Sequence, residues 1–153
     1  MTMDLPVRVA VNGYGVIGKR VADAVMKQDD MQLVGVVDVV ADWRTRLATQ
    51  RGIPLYFASD ADLPKMQESG LKTEGTLDYL LGRVDVIVDC TPKRIAAKNV
   101  PQYRSRGVKF IVHGGEKHEV TGHSFVAESN YASAIGRDAT RVVSCNTTSI
   151  VRT

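Results

Sequence analysis

No stretch of the chain approaches the roughly 20 apolar residues that a membrane-spanning helix needs, so a membrane protein is not expected. Cysteine is scarce: Cys90 and Cys145 offer at most one bridge, too little for a disulfide scaffold in 153 residues, and reduced thiols are expected. An excess of one charge is also lacking. The 20 Lys and Arg against 17 Asp and Glu leave a net charge of +3, spread along the chain rather than gathered in a tract. A nucleic-acid partner is therefore not expected, although scattered basic residues suit a phosphorylated small molecule equally well. The opening Met1-Thr2-Met3-Asp4 has neither the basic nor the apolar part of a secretion signal, so a soluble cytoplasmic protein is expected. No repeat, low-complexity tract or linker is visible, and no metal site is expected. What is there, 44% hydrophobic and 24% charged residues, is ordinary for a soluble globular domain and sufficient for one core.

Apolar periodicity alternates between the two regular elements. Val7 to Val11 is a β-branched run, Lys19 to Lys27 carries apolar residues at helical spacing, and Leu33 to Val37 is a second strand ending at Asp38. Asp42 to Gln50 reads as a helix closed by Gly52, Pro54 to Ala58 as a strand, and Leu63 to Ser69 and Thr76 to Leu81 as helices. Val84 to Asp89 is the nearly unbroken apolar strand of a sheet buried on both faces. Pro92 is expected to open a helix and Pro101 to end or kink it before Gly107. Val108 to Val112 and Arg141 to Ser144 read as strands, Asn130 to Ile135 as a short helix, and Cys145 to Thr153 as the start of another. The pattern predicts one α/β domain, a doubly wound and mostly parallel sheet of the Rossmann dinucleotide-binding kind. The last helix stops with the chain, and a truncated polypeptide is expected.

Gly13-Tyr14-Gly15-Val16-Ile17-Gly18 fits G-x-G-x-x-G between a strand and a helix, the context in which that spacing carries chemistry. The first glycine permits the tight turn, the second the approach of a pyrophosphate, and the third close packing of helix on strand. The phosphates would meet unpaired amides at the positive end of the helix dipole. Asp38 closes the second strand 20 positions after Gly18, where a carboxylate can bond the ribose hydroxyls of NAD and repel the extra phosphate of NADP. Arg44 and Arg46 follow closely, either as compensating charge or as a solvated helix face. The cofactor reading is NAD(P), with NAD favoured.

Further candidates sit at the ends of later strands, where a doubly wound sheet binds its ligands. Thr91 and Pro92 are expected to face the cofactor, and Gly115 to allow close approach of its nicotinamide half. His113 and His118 are titratable, but isolated histidines in turns are usually structural. Cys145 falls between a strand and a helix start, where free amides and the dipole favour a thiolate. Asn146, Thr147 and Thr148 surround it with groups able to hold a substrate oxygen or phosphate. Cys90, inside an apolar strand, reads as a small buried hydrophobe.

Asn12 to Arg20 resembles the cofactor turn of glyceraldehyde-3-phosphate dehydrogenases. Ser144-Cys145-Asn146-Thr147-Thr148 resembles their nucleophile motif as written in the archaeal branch, and Asp89-Cys90-Thr91-Pro92 and Gly114 to Glu119 are similar to that branch too. Ser149 departs from the pattern, which usually has glycine there. The resemblance, running from about residue 7 to the end, implies an N-terminal NAD(P)-binding domain cut just after the nucleophile. It implies attack of the Cys145 thiolate on glyceraldehyde 3-phosphate, hydride transfer to leave a thioester, and release by phosphate as 1,3-bisphosphoglycerate. Ser144 and Asn146 would hold substrate, and the Cys145 amide an oxyanion. The whole enzyme would be a homotetramer with its catalytic histidine in a second domain, so these 153 residues are expected to bind cofactor with little or no turnover. The alternatives are the first domain of another (semi)aldehyde or homoserine dehydrogenase, and a non-catalytic NAD(P)-sensing module.

Overall fold

In the computed structural model, which describes residues 5–113 and 115–152, eight strands form a single sheet in which every neighbouring pair is parallel. In chain order the elements are β1 (Val7–Asn12), α1 (Val16–Met26), β2 (Met31–Asp38), α2 (Trp43–Gln50), β3 (Leu55–Phe57), α3 (Leu63–Glu68), β4 (Gly75–Thr76) and α4 (Leu77–Leu81). There follow β5 (Val86–Asp89), α5 (Ala96–Ser105), β6 (Lys109–Val112), β7 (Ser124–Phe125), α6 (Ala127–Ala134), β8 (Ala139–Val142) and α7 (Cys145–Arg152). The strand order β4-β3-β2-β1-β5-β6-β8-β7 reverses direction between β1 and β5. That reversal opens a crevice at the carboxyl ends of the two strands.

Continuous apolar runs make the central strands because both faces are covered. Ala10, Val37, Ile87, Phe110 and Val112 pack on one side with Leu77, Leu80, Leu81, Val100 and Tyr103. Val11 and Val36 face the other way, against Tyr14, Ala22, Ala48 and Leu55, and Val9, Val25 and Val88 continue that layer. Beyond it the cover thins. Val21, Val88, Ile111, Tyr131, Ile135 and Val142 line an apolar recess of about 380 Å³, and Ile135 is 70% exposed.

The expected doubly wound sheet is present, and four local expectations change. Helix α1 begins at Val16, inside the glycine turn, rather than at Lys19. Pro92 does not open α5: Ile95 N donates to Pro92 O and Arg94 takes φ +74°, so a turn intervenes and the helix starts at Ala96. Pro101 neither ends nor breaks α5. Pro101 and Ala97, whose carbonyl loses its partner, both lie on the exposed face, where water replaces the missing bond. Helix α6 starts at Ala127 and is interrupted at Asn130, whose side chain accepts from Val126 N and donates to Ser124 O, each at 2.8 Å. The two-residue strands β4 and β7 are too short for any periodic signal. The opening four residues, Gly114 and Thr153 lie outside the described residues.

Gly18 shows what the turn requires. A Cβ there would lie 1.8 Å from Gly13 O, a backbone atom with no room to retreat. Gly18→Ala is expected to destabilise the fold by about 3 kcal/mol or more, as overpacking against backbone does. A midpoint in urea unchanged from the parent would contradict this contact.

Candidate cofactor groove and cysteine-bearing helix

The groove grows out of the end of β1. Asn12 is buried, and Gly13 follows it with φ +90°, so close to β5 that a Cβ would stand 2.9 Å from Cys90 C and 3.0 Å from Thr91 N. The third residue of the turn, Gly15, caps α1 without any side-chain bond. Its free space, with Arg44 Nη1 3.8 Å from the place of a Cβ, leaves the helix amides open to a bound anion. Asn12, Gly13, Gly15, Asp38, Arg44, Thr91 and Pro92 line one cavity of about 500 Å³, joined by Val39, Val40, Ala58, Cys90, Ile95 and Asn99. A glycine cradle at a helix N-terminus with a carboxylate at the next strand end fits a dinucleotide, and these residues would hold one.

Asp38 is fixed before any ligand arrives. Its Oδ2 accepts from Tyr14 N at 2.9 Å, and its Oδ1 from Val39 N at 2.7 Å and Val40 N at 3.1 Å. The carboxylate is thereby oriented by the same turn that would carry the pyrophosphate. The Tyr14 side chain turns away into the core, fully buried, with its hydroxyl near Arg51, and burial pushes the phenol up. Val16 and Ile17 stand exposed on the first turn of α1 beside the cradle.

A buried polar network ties the two sides of the crevice, and only part of it is visible as motif. Asp89, at the end of β5, is fully buried. Its Oδ1 accepts from Thr91 N at 2.9 Å and from the Thr91 hydroxyl, and its Oδ2 from Asn99 Nδ2 at 2.9 Å and Tyr103 Oη at 2.6 Å. Asn12 Nδ2 in turn donates to Tyr103 Oη at 2.7 Å. Four donors replace the lost hydration of the carboxylate. One carboxylate therefore clamps the ends of β1 and β5 and helix α5, and presents Thr91 to the groove. Burial, reinforced by Asp89, drives the Tyr103 phenol upward and the Cys90 thiol up to about 12. The Asn99 and Tyr103 contributions were not foreseen; the one available signal is an acidic residue at the end of an otherwise apolar strand.

The second candidate cluster lies on the same edge of the sheet, beyond β5 and β6. Cys145 is exposed and is the first residue of α7. Ser144 caps that helix, its Oγ accepting from Thr147 N at 3.2 Å and lying 2.9 Å from Thr147 Oγ1. Cys145 Sγ points to Asn146 Oδ1 at 3.9 Å. The four residues read from sequence thus form one turn, which follows β8, the third strand along the sheet from β1. Gly115 takes φ +75° and lies outside the groove lining, in the loop after β6. His113 is half-buried at the end of β6, and burial lowers its pKa with Asp89 opposing. His118 is exposed, its Nδ1 2.9 Å from Ser124 Oγ. Among the described residues, no group of three or more His, Cys, Asp or Glu could hold a metal, and no helix is long and apolar enough to cross a membrane.

Fold and groove define a Rossmann-type domain for a nicotinamide dinucleotide. The chain belongs to the family described as dihydrodipicolinate reductase, N-terminus, which it matches over residues 7–147. Its sequence is 54% identical over 149 residues to a glyceraldehyde-3-phosphate dehydrogenase of Thermococcus kodakarensis, covering 97% of this chain and 45% of that protein. Enzymes of the same name from Pyrococcus furiosus and Methanothermus fervidus are 52% and 48% identical, over 97% and 95% of this chain and 45% and 43% of theirs. The chain thus spans less than half the length of these curated relatives, and corresponds to their N-terminal part. Among solved structures, GenD2 from gentamicin A biosynthesis in complex with NAD superposes with a TM-score of 0.54 at 24% identity, covering 74% of this chain and 28% of that one. An NAD-binding protein from Listeria innocua gives 0.53 at 17%, covering 72% and 27%. These two likenesses speak for the fold alone.

Asp89→Ala leaves the buried Tyr103 hydroxyl and the half-buried Asn99 amide without their acceptor, and is expected to cost about 3 kcal/mol of stability. Equilibrium urea unfolding measures it, and a loss below about 1 kcal/mol would mean that the network does not hold the crevice.

Proposed function

We propose that this chain is the cofactor-binding part of an NAD(P)-dependent phosphorylating glyceraldehyde-3-phosphate dehydrogenase. The observation that carries the reading is the placement of a glycine-lined groove and an exposed, helix-initial Cys145 on one edge of a parallel sheet. The identity of about half to archaeal enzymes of that name supports it. The nicotinamide ring, when bound, supplies the hydride acceptor. On this edge the chain's own residues hold the cofactor and carry the acyl group. The turn Gly13 to Gly18 holds the pyrophosphate on the amides of α1, and Asp38 bonds the ribose hydroxyls. Cys145 attacks the aldehyde carbon of glyceraldehyde 3-phosphate and later carries the acyl group as a thioester, which inorganic phosphate cleaves to 1,3-bisphosphoglycerate. Ser144, Asn146 and Thr147 hold substrate oxygens, and the amide of Cys145 faces the oxyanion. The reading favours NAD, because a carboxylate at the end of β2, held by three backbone amides, can bond ribose hydroxyls and would repel a 2′-phosphate. The whole enzyme is read as a cytoplasmic homotetramer of glycolysis or gluconeogenesis.

Calorimetric titration with NAD and NADP tests the groove. NAD is expected to bind, and Asp38→Ala to weaken it about tenfold, the worth of a charge-assisted hydrogen bond. Failure of both cofactors to bind the unsubstituted chain would overturn the reading. The cysteines give a second test. Iodoacetamide at pH 8 is expected to label exposed Cys145 ahead of half-buried Cys90, whose thiol is pushed up to about 12 by burial and the Asp89 charge, with peptide mass spectrometry as readout. Labelling of Cys90 at an equal rate would count against Cys145 as the nucleophile.

A further inference from the structure

The groove reading leaves one pair of charges at its ribose end unexplained. Arg44 lines the cavity together with Asp38, Val39 and Val40, and its guanidinium feels the Asp38 charge. An arginine here is the group by which a dinucleotide site accommodates a 2′-phosphate. In this chain the guanidinium is already held. Nε donates to Asp42 Oδ2 at 2.8 Å, and Nη2 lies 2.6 Å from the same oxygen. The other oxygen of Asp42 caps α2, accepting from Arg44 N at 2.9 Å, while Thr45 Oγ1 accepts from Asp42 N at 3.1 Å. Asp42 is therefore fixed by the helix start, and Arg44 is fixed by Asp42. Both side chains are about 30% exposed, so the pair is only partly screened by water. Its hydrogen bond to Arg44 holds the Asp42 carboxyl below its ordinary value, so it is charged at neutral pH. Nη1 is left pointing toward Gly15.

We infer that Asp42 is a specificity-determining residue for the cofactor: by ion-pairing with the Arg44 guanidinium, taking its Nε hydrogen bond and offsetting its charge, it withholds from NADP the cation that the groove otherwise contains. This inference rests on the dinucleotide reading of the groove and adds a second selector to Asp38. Asp38 opposes the 2′-phosphate by repulsion. Asp42 does so by removing attraction, from a helix cap that need not touch the ligand. The two selectors are separable because they act through different atoms.

Asp42→Asn separates them experimentally, since asparagine caps a helix as well as aspartate does but carries no charge. Asp42→Ser, another capping residue, is the parallel variant. Kd values for NAD and NADP are measured by calorimetry on the parent, on both variants, and on each variant combined with Arg44→Gln. The ratio of NADP to NAD affinity is expected to rise on the order of tenfold in Asp42→Asn, as one charge-assisted bond to phosphate gives, and to return to the parent ratio when Arg44→Gln is added. The rise should shrink in high salt. A general structural effect would weaken both cofactors together and leave the ratio alone. NAD binding with an unchanged ratio in both capping variants would overturn the role of Asp42 while leaving the groove intact. No NAD binding by the parent would overturn both.

Discussion

The fold and its groove depend on one steric constraint, the passage of Gly13 between α1 and β5. Its carbonyl lies where a side chain on Gly18 would begin, and its own α-carbon lies against the backbone of Cys90 and Thr91. Helix α1 can therefore sit low on the sheet, with its first amides level with the strand ends. The same closeness brings β1 and β5 together at the reversal of strand order, where a ligand can enter. Everything polar at the site is arranged around that passage. Asp38 is oriented by the amide of Tyr14, and Asp89 is buried beneath Thr91 and reaches Asn12 through Tyr103.

What could be read from sequence was what the chain writes locally. Gly13, Gly15 and Asp38 stand at spacings fixed by a strand, a turn and a helix, so their grouping in one groove followed from counting residues, while Gly18 serves the packing of the helix on the turn. Ser144 to Thr147 span one helical turn and were bound to cluster in the same way. The central strands were legible because both of their faces are buried, which makes the runs unbroken. What escaped was written at long range. Asn12 meets Tyr103 across 91 positions, and neither residue type is distinctive there. Pro101 misled because its helix turns that face to water, and Asn130 because its side chain serves the chain upstream instead of the helix.

The two cysteines show how environment separates identical groups. Cys90 follows a buried carboxylate and faces apolar packing, which burial and charge together make unreactive. Cys145 follows a serine that spends its hydroxyl on the helix start and leaves the thiol at the surface. The sheet places one at the wall of the cofactor groove, half-buried, and the other exposed farther along the same edge.

An all-parallel sheet also constrains how the chain must come together in time. No neighbouring strands can close as a hairpin, and the central strand finds its second partner only when Val9 meets Val86. At ribosomal speeds of about 5–20 residues per second, that partner follows on the order of ten seconds later. Until β5 is made, β1 has only β2 available as a native neighbour, and its other edge, destined for the middle of the protein, has no native partner to cover it. The position that makes β1 the floor of the groove thus also makes it the segment in greatest need of shelter during synthesis.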